Sequence, residues 1–203
     1  MLESMLAFLG ATALLAFSPG PDNIYVLTQS VVNGRASGLA TTAGLISGCI
    51  VHTTLVAFGV SAIIATSPTV FFSIKVLGAA YLLFLAYKVF KSDGTVSLTE
   101  GAPKKSYMSL FKQGVLMNIL NPKVTIFFLA FFPGFLWEPE GNTVFQFYVL
   151  GILFMIESFI IFGGIAVLAG SISGYLKKSN RIGIVLKWVQ IIVFIGIAIF
   201  ILV

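Results

Sequence analysis

Four ionisable side chains interrupt the long apolar stretches of this chain: Asp22, His52, Lys123 and Glu157. A charge at the centre of a bilayer costs about 2.5–3.5 kcal/mol on insertion scales. Three such charges left facing lipid would cost about 8–10 kcal/mol, comparable with the whole stability of a small domain. They are expected to face one another or a wet cavity instead. Two of them directly follow a proline, in Ser18-Pro19-Gly20-Pro21-Asp22-Asn23 and in Asn118-x-x-Asn121-Pro122-Lys123. Proline lacks an N–H and collides with the preceding turn, so a helix breaks there. It also suits the first position of a new helix. Each break then presents free backbone N–H groups and the positive end of a helix dipole, a place for an anion such as a carboxylate. Lys123 adds a full positive charge, and Asp22 and Glu157 add negative charge. Both signs at short range suit a zwitterion, with its carboxylate on the helix starts and Lys123 and its ammonium on Asp22 or Glu157. The candidate substrate-binding residues are Gly20, Pro21, Asp22, Asn23, Asn118, Asn121 and Lys123, the asparagines donating or accepting at the remaining positions. Asp22, His52 and Glu157 are the candidates for proton coupling or charge pairing. The competing reading is structural: Lys123 pairs with Asp22 or Glu157 only to lock the bundle, and His52 is a hydrogen-bonded core residue.

These residues need elements to hold them at one depth. Of 203 residues, 58% are hydrophobic and 9% charged, and the mean hydropathy is +1.05. This is the composition of an integral membrane protein. Six apolar spans are predicted, at about 4–32, 38–66, 69–90, 110–133, 143–172 and 183–203, the first broken near 19–21 and the fourth at Pro122. Helix is the only credible spanning form, because alternating strand patterns are absent. The four ionisable groups fall near the middles of the first, second, fourth and fifth spans. Ala40, Gly44, Gly48 and His52 recur every four residues and line one helix face, where small residues admit a close neighbour. A polar linker, 91–109, carries Gly94, Gly101 and Pro103, is expected to be mobile, and separates a first three-helix unit, 1–90, from a second, 110–203.

The plan repeats: broken span, glycine-bearing span, plain span, twice. Pro21-Asp22 is echoed by Pro122-Lys123, Gly44 by Gly151 and Lys75 by Lys187. Three spans is an odd number, so the second unit crosses the membrane in the opposite sense. Such inverted repeats place binding sites at the midplane, at broken helices. Chance likeness between apolar segments is the alternative.

Charge orients the chain. Of its twelve Lys and Arg, ten lie at three connections: Arg35 in the first, Lys88, Lys91, Lys104, Lys105 and Lys112 around the third, and Lys177, Lys178, Arg181 and Lys187 around the fifth. Positive residues stay cytoplasmic, which puts both termini outside. The same distribution accounts for the net charge of +5 and argues against nucleic acid, since the basic residues form no single groove. The single Cys49 allows no internal disulfide and no metal cluster, and cadmium export would want soft thiolates. Asp22, His52 and Glu157 lack the nucleophile or ligand pair of an enzyme, and no cofactor is called for. The start of the chain lacks the basic residues of a signal peptide and reads as a retained span. The glycine faces leave a homo-oligomer open.

Ser18-Pro19-Gly20-Pro21-Asp22, Gly44-x-x-x-Gly48 with His52, Gly78-Ala79-Ala80-Tyr81-Leu82 and Asn118-x-x-Asn121-Pro122-Lys123 resemble the LysE/RhtB family of bacterial amino-acid exporters, over nearly the full length and in the family's order. The resemblance implies efflux of amino acids or close derivatives across the bacterial inner membrane, driven by the proton gradient. Pro19, Gly20, Pro21 and Asp22 match the first motif, in which many members carry Asn at the place of Asp22. Asn121, Pro122 and Lys123 match the second. Members differ at Glu157 and His52, which leaves substrate class and coupling ion open. Alternating access about the midplane site is the expected mechanism, with protons carried by Asp22 or Glu157. A passive channel, or an exporter of another small solute or a metal ion within the wider superfamily, is the alternative.

Overall fold

The computed structural model describes residues 2–18, 20–93, 104–178 and 180–202, with the side chains of all of these except 65, 174–178 and 180–182. The predicted break residue Pro19 and the linker residues Gly94, Gly101 and Pro103 lie outside the described residues, as do the side chains of Lys177, Lys178 and Arg181. Among the described residues there are helices and no strands. The chain is an all-α membrane protein.

Both predicted breaks are present. Helix α1, Leu2–Phe17, gives way to α2, Pro21–Asn33, at an angle of 58°. Helix α6, Tyr107–Ile119, gives way to α7, Pro122–Phe131, and a short 3-10 turn, Phe132–Phe135, at 53°. Each second half starts with proline at its first position, after a residue in extended conformation, Gly20 or Asn121. That is the conformation a following proline favours. Gly34 ends α2 at φ +90°, where a side chain would be strained, and α3, Arg35–Leu55, begins at once. A π turn, Val56–Val60, joins α3 to α4, Ser61–Thr66. Ser67 caps α5, Pro68–Lys91, and Asn142 caps α8, Thr143–Val167, by accepting from the backbone three residues on.

Four helical segments are long and apolar enough to span a bilayer, Arg35–Ile64, Pro68–Lys91, Thr143–Val167 and Gly183–Leu202, and the count reaches six when each bent pair is one span. The fifth predicted span ends early, at Val167 rather than 172. Leu168 leaves the helical path there (φ −89°, ψ 8°), and a separate helix, α9, Ala169–Lys178, follows before α10, Asn180–Leu202. With no β-branched or charged residue in Leu168-Ala169-Gly170, the apolar run alone gave no sign of that break.

Helix α3 is the hub. It packs on α6, α8 and α2, while α5 and α10 pair with each other and pack on α7. Glycines permit the approach. A Cβ at Gly44 would overlap the Phe111 carbonyl, and one at Gly114 would come within 2.5 Å of the Thr41 carbonyl and 2.8 Å of the Leu45 nitrogen. A Cβ at Gly48 would lie 2.7 Å from the Asn118 side chain. The apolar core gathers on the other half of the molecule. There Phe127, Phe128, Phe131, Phe132 and Phe135 interleave with Phe8 of α1 and Phe154 of α8 at ring separations of 4.1–6.4 Å. Aromatic pairs in such edge and offset geometries gain about 0.5–1.5 kcal/mol beyond simple burial. Lipid provides no hydrophobic drive between helices, so close packing of this kind has to hold the bundle together.

Candidate functional site: a cavity where the broken helices meet

The two breaks face each other. Asn121 ties them together with both ends of its amide. Its Oδ1 accepts from the Lys123 backbone N–H at 3.1 Å, capping α7, and its Nδ2 donates to Asp22 Oδ2 at 2.9 Å. Asn23 does similar work at the first break, where its Nδ2 donates at 2.8 Å to the Ala16 carbonyl in the last turn of α1. A proline-interrupted helix leaves such carbonyls short of donors, and in a membrane no water replaces them. The second break shows the same need. Pro122 has no N–H for the Asn118 carbonyl four residues back, and that carbonyl accepts instead from the Asn121 backbone N–H and from His52 Nε2 of α3, each at 3.1 Å. Because a carbonyl only accepts, His52 carries its proton on Nε2 in this contact.

Asp22, Asn23, Asn118 and Lys123 line one cavity with Cys49 and Ser158, walled by Leu15, Ile46, Val124, Phe154 and Phe162. Asp22 is 7% exposed, and Lys123 is half-buried. The Lys123 ammonium does not stay beside its own helix start. It lies 3.0 Å from where a Cβ on Gly20 would sit, and 5.7 Å from the Phe194 ring centroid, in reach of a cation–π contact. The start of α2 at Gly20 has no side-chain cap. The free N–H end of α2 and the Lys123 charge therefore converge on one spot, with the Asp22 carboxylate beside it. Asp22 and Lys123 are close enough for their charges to interact. Among the described residues, however, no N···O ion pair closes within 4.0 Å. The locking ion pair considered from the sequence is replaced by the neutral amide of Asn121. The room inside is about 40 Å³ for water-sized groups, enough for a few waters and too little for an amino acid.

Not every candidate reaches this cavity. His52 stands behind Asn118, 3% exposed, its ring tilted against that of Phe128 with centroids 5.5 Å apart. Glu157 is half-buried where α8 meets α1, and its Oε2 accepts from Thr12 Oγ1, one turn before the break. Pro21 is exposed at the rim of the break. Ser18 and Ser158 were missed. Both are buried with hydroxyls that have no partner, and their only sequence signal is adjacency to Pro19 and Glu157.

An apolar helical bundle with two mid-span breaks, facing across a small chamber of both charge signs, is the build of a membrane transporter. The chain belongs to the LysE-type translocator family, whose model matches residues 13–203. A homoserine/homoserine lactone efflux protein of Salmonella typhimurium is 32% identical over 88% of this chain and 86% of its own. An uncharacterised membrane protein of Vibrio cholerae is 30% identical over 86% and 85%, and the membrane protein YrhP of Bacillus subtilis 33% identical over 70% and 71%. No solved structure matches the chain.

Proposed function

We propose that this transporter exports amino acids or close derivatives, homoserine and its lactone among them, from the cytoplasm of a bacterium by alternating access around the Asp22–Lys123 cavity. One observation carries the reading: a carboxylate and an ammonium share a small cavity at the uncapped start of α2. The carboxylate of a bound amino acid would lie against Lys123 Nζ and the free N–H groups following Gly20, and its ammonium against Asp22. Each charge then meets its opposite in a place of low dielectric, where such pairs are strong. The apolar wall of Ile46, Phe154 and Phe162 offers no second carboxylate to a basic side chain, so small neutral amino acids fit better than lysine or arginine.

Two reversed halves supply the motion. In support, α3 packs on α8 and α5 on α10, the pairings expected when second meets fifth and third meets sixth across a two-fold axis. The packing of α6 on α3 has its counterpart in α1 on α8. Protons enter as the coupling ion through Asp22 or Glu157. The test is overexpression, with single amino acids screened for relief of growth inhibition and radiolabelled efflux measured for those that score. Relief by no amino acid, with the protein present in the membrane, would sink the reading.

A further inference from the structure

The two half-helices that start at the cavity lead to unlike places. Helix α3 gives their directions. Its beginning packs on the far part of α2, where a Cβ on Gly38 would clash with Ser30, and its continuation, Val56–Val60, packs on α7. So α2 leads from the cavity to the end of the bundle that carries Arg35, and α7 leads to the opposite end. The α7 route is filled by stacked phenyl rings. The α2 route is polar. Asp22, Tyr25, Gln29 and Asn33 recur at helical spacing and share one face. Tyr25 lies close enough to Gln29 to interact with it, and Asn33 Nδ2 donates to Gln29 Oε1 at 2.9 Å. Gln29 is 2% exposed and Thr28 and Ser30 are each 5% exposed, so this polarity faces protein, not lipid.

Hydroxyls in these helices settle by default on the carbonyl four residues back: Ser30 on Val26, Ser37 on Asn33, Thr41 on Ser37, Ser47 on Ala43 and Thr54 on Ile50, at 2.7–3.0 Å. Thr28 on α2 and Thr42 and Thr53 on α3 do not. All three are buried and their Oγ1 atoms have no partner. A buried hydroxyl left without a partner carries a penalty of about 1–3 kcal/mol. Thr53 packs against Gly151 beyond the cavity, whereas Thr28 and Thr42 lie on the parts of α2 and α3 between the cavity and Arg35.

We infer that the path by which solute and water reach the cavity runs along α2, from the end bearing Arg35, and that Thr28 and Thr42 line it when the helices part. This rests on the cavity being the transport site. The aromatic side opens only in the other half of the cycle.

Cysteine labelling tests it without any transported solute. Thr28→Cys and Thr42→Cys are close in size to the native residues and are built on Cys49→Ala, because Cys49 itself lines the cavity; the resulting cysteine-free parent gives the background. A charged, membrane-impermeant thiol reagent is added to one face of sealed vesicles and then to the other. Lys104→Cys, exposed at the same end as Arg35, marks the side. A path open for about 0.1–10% of the time still admits reagent. The two variants should then react about tenfold faster from the face that labels Lys104→Cys than from the other, as expected if opening exposes them to one face at a time. Reaction no faster than the parent from both faces, equal rates from the two, or a preference for the opposite face would overturn the path. Loss of the export reading is seen separately, as efflux that is unchanged in Lys123→Ala.

Discussion

Lys123 holds the charge balance of the cavity, and Gly20 holds the place of Lys123. Replacing Lys123 by alanine leaves the buried Asp22 carboxylate without its neighbouring positive charge in an apolar-walled space. The site then lacks the group that would hold a substrate carboxylate, so Lys123→Ala should abolish measurable efflux while the protein still inserts. Gly20→Ala separates site from scaffold. The backbone there (φ −156°) accepts any residue, and the only close neighbour is the movable ammonium at 3.0 Å. Efflux should fall and thermal stability in detergent should stay within about 0.5 kcal/mol of the parent, as for substitutions away from the core. An equal loss of both would mean that the ammonium is part of the scaffold. The residue types at the two breaks were legible, because proline, glycine and charge stand out in an apolar run. That Lys123 reaches across to the other break was not. Neither was the double use of the Asn121 amide, since both depend on how far apart the two breaks lie in space.

Helices here are held by absent side chains and stopped by absent N–H groups. Gly44 meets the backbone of α6, which cannot turn aside, so Gly44→Ala must push α3 and α6 apart. Overpacking of this kind costs about 1–3 kcal/mol, and the melting temperature in detergent should drop accordingly. Gly164, also within a helix, has nothing within 4 Å of an added Cβ. Gly164→Ala should be neutral or raise stability by about 0.5–1 kcal/mol, the usual gain of alanine over glycine in a helix. A similar drop in both variants would show that the α3–α6 contact is not the close one. At Pro122 the same logic reverses. Pro122→Ala supplies an N–H that competes with His52 for the Asn118 carbonyl, and the 53° bend between α6 and α7 relaxes. Efflux should fail in that variant although the protein accumulates in the membrane. The four-residue step from Gly44 to His52 made this face legible from sequence, since all of Gly44, Gly48 and His52 turn toward α6. The break at Leu168 was not legible, because apolar runs read alike whether or not one residue within them leaves the helical path.

For the whole molecule, the unequal halves decide how a gradient can act. The polar route along α2 and the phenyl-filled route along α7 begin at the same chamber, where Asp22 is held by Asn121 and interacts with Lys123. Glu157 lies apart, bonded to Thr12 on the seam between α1 and α8. If a proton is the coupling ion, its carrier must be reached from opposite faces in the two halves of the cycle, and Glu157, between two helices and bonded to one hydroxyl, is easier to release than Asp22 tied to Asn121. Glu157→Gln keeps the size and the acceptor oxygen for Thr12 and removes the charge. Efflux down a substrate gradient should therefore persist in that variant, while efflux against a gradient, sensitive in the parent to external pH and to an uncoupler, should lose both sensitivities. Uphill efflux that ignores an uncoupler in the parent would remove the proton from the mechanism. A parent that responds, with a Glu157→Gln variant that responds equally, would move the proton to Asp22, whose hydrogen bond to Asn121 would then have to break and re-form in every cycle.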